Sequence, residues 1–182
     1  NLLVLDAHLD TPAVLDRPGF DITMRHDAHD DYAQVDLPRM REGGLDGGFW
    51  VIYTPQGPLT EDGFAKALAH ARHRNQLIDE MVATHSDLFA HATKASDAHQ
   101  IAKDGKRVVF KSIENAYPLG MDITRLDEFY DKGVRMLGLV HMSNNQFADS
   151  STDKNGPKWG GLSPLGRQLV ARANQLGMVI DA

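Results

Sequence analysis

Five short apolar runs punctuate the chain: Leu2–Ala7, Gly48–Tyr53, Val108–Ile113, Val134–Val140 and Met178–Ile180. Each is rich in Val, Ile, Leu or aromatic residues and bounded by Gly, Pro, Asp or Asn, which predicts strands. Their apolarity is continuous rather than alternating, as in parallel strands covered on both faces. Between them the spacing becomes helical. From Thr60 to Thr84, Phe64, Leu68, Ala71, Ile78, Met81 and Val82 fall on one side. Thr60 is placed to cap that helix, and Glu61 and Asp62 suit the positive end of its dipole. A second helix runs from Asp122 towards Lys132, with Ile123, Leu126 and Tyr130 on one face and Gly133 to end it. A third is punctuated by Ser163, Pro164 and Gly177, with Leu165, Leu169, Ala173 and Leu176 facing inward. A weaker pattern covers Ser96–Lys103. Strands alternating with helices predict βαβ units and a parallel sheet. That pattern suits a doubly wound sheet, or about half of a (β/α)8 barrel of about 250 residues. No repeat, low-complexity tract or linker interrupts it, so residues 1–182 read as one domain without an internal boundary.

Composition narrows the function. A chain of 182 residues that is 42% hydrophobic buries enough surface to fold rather than stay disordered. The absence of Cys excludes a disulfide scaffold, a thiolate zinc site and a cysteine nucleophile. A net charge of −6 offers no basic footprint for phosphate backbones, so nucleic acid is not an expected partner. The longest apolar stretches are too short to span a bilayer, so no transmembrane segment is expected. No secretory leader pattern precedes the first apolar run, and the compartment is left open.

In parallel α/β folds, chemistry gathers at the carboxyl ends of the strands. The first strand runs into Asp6-Ala7-His8-Leu9-Asp10-Thr11-Pro12, where His8 and Asp10, two apart, point to the same side of an extended chain. The third ends at Ser112-Ile113-Glu114-Asn115 and the fourth at Leu139-Val140-His141-Met142. One buried His is more often a hydrogen-bonded core residue than a ligand. Four acid–base side chains ending three strands in the same sense favour a His/Asp/Glu metal site instead. Lys111 is three residues from Glu114 and projects to the opposite face, while Arg135 opens its strand. Neither is the expected partner of Glu114, and a metal ion is the better one. Met142–Gly161, a long polar loop beside His141, reads as a pocket wall or lid.

Other histidines read as ordinary. His26 and His29 sit in a charge-rich loop and are expected at the solvated rim. His70 and His73 share a helical face without a glutamate in zinc-binding spacing, and His85, His91 and His99 carry no pattern. Gly43–Gly48 precedes a strand rather than following one, so its glycines relieve packing rather than cradle phosphate. Ser163 is a helix cap, not a nucleophile.

The segment Asp6–Pro12 resembles the N-terminal metal motif of the membrane (renal) dipeptidase family, relatives of the amidohydrolases. Similar landmarks recur in order: Asp36-Leu37-Pro38-Arg39-Met40, Gly47-Gly48-Phe49-Trp50, Ser112-Ile113-Glu114, Gly133-Val134-Arg135-Met136-Leu137, Leu139-Val140-His141 and Gly161-Leu162-Ser163-Pro164-Leu165-Gly166. The resemblance implies an α/β fold of the (β/α)8 barrel type, of which this chain supplies roughly the first half, about five strands. It implies a zinc-dependent dipeptidase in which a hydroxide bridging two zinc ions attacks the peptide carbonyl. By position, His8 and Asp10 bind one zinc and Glu114 bridges both. His141 resembles the substrate-contacting histidine and would stabilise charge on oxygen. Glu114 and His141 are therefore the catalytic candidates. A dipeptide substrate and a homodimer follow from the same resemblance. Asn115-Ala116 departs from it, standing where the family commonly has a glycine pair. The family's two further zinc-binding histidines, a substrate-binding arginine and a catalytic aspartate are expected beyond Ala182. Two alternatives are a hydrolase of a non-peptide amide or lactone, and a noncatalytic half-barrel binding a partner at an open sheet edge.

Overall fold

The computed structural model describes residues 2–27, 29 and 33–182. Its strands are β1 (Leu5–Leu9), β2 (Gly47–Tyr53), β3 (Phe89–His91), β4 (Arg107–Glu114), β5 (Val134–Gly138) and β6 (Val179–Asp181). The helices are α1 (Leu37–Gly43), α2 (Glu61–Thr84), α3 (Ala95–Lys103), α4 (Arg125–Asp131) and α5 (Pro164–Leu176). The sheet order is β1-β2-β4-β5-β6, with β3 bonded to β4. The pairs β1/β2, β3/β4 and β5/β6 are parallel. Apart from β3, the order never reverses, which is the winding of a (β/α)8 barrel rather than of a doubly wound sheet.

The chain divides into two compact units: residues up to Ile52 with Arg74–Lys111, and Tyr53–His73 with Ser112–Ala182. The divisions fall inside β2, α2 and β4.

In the first unit, Trp50 and Phe89 meet edge-on at 5.8 Å and Phe49 stacks on Phe110 at 5.0 Å. Ala92, Ala98, Ile101 and Val108 form one core with Phe110, against which Phe49 packs. The register Leu5↔Gly47 and Asp6↔Gly48 requires glycine. A Cβ on Gly47 would lie 2.2 Å from the Val108 carbonyl oxygen, and one on Gly48 2.2 Å from that of Asp6. Helix α1 opens with Asp36, whose side chain accepts from the Arg39 amide at 2.8 Å, and closes at Gly44 with φ 70°. Lys111 is buried on the α2 side of β4. Its Nζ donates to Asn75 Oδ1 (2.9 Å) and Asp79 Oδ1 (2.8 Å), and His91 Nε2 lies 2.9 Å from the same Asp79 oxygen. Burial pushes the Asp79 carboxyl up, but the hydrogen bonds from His91 and Lys111 outweigh it and hold the carboxyl below its ordinary value.

In the second unit, Phe64 and Ala67 of α2 pack on Tyr117, whose hydroxyl donates to the Pro58 carbonyl at 2.7 Å. Leu126 and Phe129 of α4 and Leu169 and Ala173 of α5 are fully buried. Ser163 accepts from the Gly166 amide at 2.9 Å and donates to the Gln146 carbonyl at 2.6 Å, so the predicted cap also ties α5 to the preceding loop.

Several boundaries move. β1 begins three residues later than its apolar run and reaches Leu9, and four of its five residues are exposed rather than covered on both faces. Among the described residues it stands at one end of the strand order. β5 ends at Gly138, before Leu139 and Val140, because the Leu139 carbonyl accepts from Ala116 and from the Asn145 side chain. Helix α1 and the three-residue β3 were not predicted. No helix among the described residues is long and apolar enough to cross a membrane.

Candidate active site

His8 lies within β1, and Asp10 follows the strand and precedes a 3-10 turn (Thr11–Val14) that has Pro12 at its second position. Alternation along the strand places the two together as expected, with His8 Nε2 3.3 Å from Asp10 Oδ1. Their side chains are 39% and 67% exposed. The Asp6 carboxylate accepts from the His8 amide at 2.9 Å, which fixes the backbone that aims the imidazole. A cleft of about 480 Å³ opens beside the pair, lined by Asp6, His8, Asp10, Thr11 and Arg17 among others.

In the second unit, Glu114 is the last residue of β4 and His141 lies three residues beyond β5. His141 Nε2 stands 3.4 Å from Glu114 Oε1, and the side chains are 38% and 18% exposed. The Tyr53 ring meets the imidazole edge-on at 5.0 Å with 73° between planes. Ser150 Oγ donates to the His141 carbonyl at 2.6 Å, tying the long loop to the backbone of the histidine. Lys111 and Arg135 are engaged elsewhere: Lys111 on Asn75 and Asp79, Arg135 on the Tyr130 carbonyl and over the Tyr130 ring.

The 142–161 loop is braced from within. The Asp149 carboxylate accepts from the amides of Lys158, Trp159 and Gly161. Desolvation raises that carboxyl, but the backbone N–H bonds outweigh it and hold it below its ordinary value. Asn144 bridges the Gly156 carbonyl and the Ser150 amide, and the Trp159 indole donates to the Asn145 carbonyl at 2.9 Å.

The structure therefore brings His8 to Asp10 in one unit and Glu114 to His141 in the other. Sequence reasoning missed Tyr53, Asn115 and Asn145. Tyr53 ends β2, so the rule that singled out Glu114 would have found it. Among the weaker candidates, His26 is half-buried. Its Nε2 is 2.8 Å from the Asp21 carbonyl oxygen, and its ring stacks on Phe20 at 4.5 Å. His29 is exposed, while Ala28, Asp30 and Asp31 of the same loop lie outside the described residues. His91, which carried no sequence pattern, belongs to the Asp79–Lys111 cluster.

The profile described as membrane dipeptidase (peptidase family M19) matches residues 1–182. Dipeptidase tcpJ of Claviceps purpurea is 34% identical over 152 residues, covering 81% of this chain and 35% of its own length. Dipeptidase aclJ of Aspergillus oryzae is 31% identical over 84% of this chain and 37% of its own. The crystal structure of the probable dipeptidase PvdM from Pseudomonas aeruginosa matches with a TM-score of 0.89 and 31% identity, over 100% of this chain and 46% of that one. A metallo peptidase from Rhodobacter sphaeroides, liganded with a phosphinate mimic of the dipeptide L-Ala-D-Ala, matches with a TM-score of 0.81 and 26% identity, over 99% and 58%. The chain spans about a third of the length of these curated relatives and about half of these solved chains. Its parallel α/β sheet is similar to that of the dipeptidase barrels and covers part of such a barrel.

Proposed function

Because the chain belongs to the membrane dipeptidase family, we propose that it takes part in metal-dependent hydrolysis of dipeptides, with His8, Asp10 and Glu114 as metal ligands and His141 on the substrate. The observation that carries this reading is the placement of an imidazole and two carboxylates at the carboxyl ends of parallel strands. Each of the three offers one ligand atom to an ion. Imidazole nitrogen and carboxylate oxygen are donors that suit Zn2+, and no thiolate competes in a chain without Cys. The names of tcpJ and aclJ, both dipeptidases, and of the probable dipeptidase PvdM favour a peptide over another amide or a lactone.

Two zinc ions would be held here, His8 and Asp10 binding one and Glu114 offering a carboxylate oxygen to each. When bound, the metal would supply a hydroxide nucleophile at neutral pH and polarise the scissile carbonyl. The protein's own groups then orient and stabilise. Tyr53 packs against the His141 ring and limits its rotation. The His141 imidazole, whose side chain is 38% exposed, would donate to the substrate carbonyl oxygen as negative charge builds there.

The test is hydrolysis of a dipeptide panel by the whole protein before and after chelation. Activity should vanish on metal removal and return with added zinc. Turnover that survives complete removal, or a zinc-loaded protein that cleaves no dipeptide, contradicts the reading.

A further inference from the structure

The residue after Glu114 leaves the strand in an unusual way. Asn115 has φ 67°, a left-handed conformation, and among the described residues it is the non-glycine found at positive φ. Asparagine tolerates this region when its side chain is hydrogen-bonded. Here the side chain is 0% exposed and its four hydrogen-bonding positions are all used. Nδ2 donates to the Thr54 carbonyl (3.0 Å) and to Gln56 Oε1 (3.2 Å). Oδ1 accepts from the Tyr117 amide (3.3 Å) and from Asn145 Nδ2 (3.0 Å).

Asn145 is equally buried and equally saturated. Its Nδ2 also donates to the Leu139 carbonyl at 2.7 Å, and its Oδ1 accepts from the Phe147 and Ala148 amides at 2.7 and 3.1 Å. The orientation of this amide is therefore determined: a flip would set its NH2 against two N–H donors and its oxygen against two acceptors. One Asn145 side chain thus holds both the residue after Glu114 and the residue two before His141.

We infer that Asn145 is a positioning residue acting through Asn115: it fixes the peptide that follows Glu114, and with it the direction of the Glu114 carboxylate towards its metal. This rests on the metal role proposed for Glu114. Removing the Asn145 amide leaves Asn115 Oδ1 short of a buried donor, which favours rotation of a peptide already in a sparsely populated conformation. Misplacing a site group by about 1 Å is enough to cost about 10²-fold.

The experiment is a double-mutant cycle on the whole protein with Asn145→Ala, Asn115→Gly and both, reading zinc affinity by chelator competition alongside thermal unfolding. Glycine keeps the left-handed backbone accessible while deleting the relay, so Asn115→Gly should fold even where Asn145→Ala does not. Each single variant should weaken zinc binding by about 10–100-fold, the range for partners that orient a ligand. The double variant should lose little more than either single one. Full zinc affinity in folded Asn115→Gly, or in Asn145→Ala with only its unfolding temperature lowered, overturns the relay, as does strict additivity. A wild type that binds no zinc defeats the metal centre first and the relay with it. A wild type that binds zinc beside variants that bind it equally well defeats the relay alone.

Discussion

His8 and Asp10 stand 39% and 67% exposed at the end of a strand whose other residues are largely exposed too, whereas Glu114 is 18% exposed and precedes a residue with no exposure at all. The first pair is assembled by two-residue alternation along β1 and one short turn, all between Leu5 and Val14. The second depends on partners far along the chain, Tyr53 against His141 and Asn145 against Asn115, besides the nearby Ser150 on the His141 carbonyl. Local geometry needs little of the fold to hold it and gives little stability back. Long-range geometry is inseparable from the packing around it. The two regions should therefore answer substitution differently.

The widest separation is expected from His8→Ala. Loss of a ligand on an exposed strand end should lower kcat/KM for dipeptides by more than the about 10–100-fold seen for partners that merely orient ligands. Stability should stay within about 0.5 kcal/mol, as for other exposed positions. Kinetics and thermal unfolding on one preparation check both halves. A large fall in unfolding temperature would mean that this end of β1 is as integrated as the Glu114 end.

Next is His141→Ala, which probes the exposed member of the integrated region. It should lower kcat/KM by about 10²–10³, the effect of losing one donor to a developing oxyanion, while zinc content stays at the wild-type value. Metal analysis of the variant decides: a loss of zinc would move His141 among the ligands.

The smallest effect concerns the loop that braces His141. The Asp149 carboxyl is held below its ordinary value, so it contributes stability above the unfolded value of about 3.9 and loses it as pH falls through the folded one. Wild type should accordingly be more stable than Asp149→Asn at pH 7, with the gap narrowing as the medium is acidified below about pH 4. Denaturant unfolding of both proteins across that range measures it. A gap that stays constant would show that the carboxylate charge does not hold the loop.

The same contrast decides what was legible in the sequence. The motif Asp6–Pro12 gave away His8 and Asp10 because their geometry is local. Strand ends gave away Glu114 and His141, since a parallel sheet gathers its carboxyl ends. The strand limits were harder. β1 is set by pairing with Gly47 and Gly48, where a missing Cβ admits the neighbouring backbone, and no pattern within residues 2–9 reveals that. β3 is three residues long, too short for periodicity to register. Helix α1 did carry a readable signature, Asp36 as cap with Pro38 in the first turn and Gly44 at the end. The amide network was opaque. Asn145 reads as loop polarity and Asn115 as a replacement for glycine, and only the fold turns the two into buried, saturated groups.

Glu114 is the carboxylate on which the proposed metal centre depends most, so Glu114→Gln tests the account most directly. The substitution keeps size and removes charge. Zinc per chain and dipeptide hydrolysis should be measured on the whole protein, with circular dichroism to confirm the fold. The account predicts zinc falling well below the wild-type content and hydrolysis lost, with the spectrum unchanged. A folded variant that retains wild-type zinc and cleaves dipeptides at the wild-type rate would contradict it.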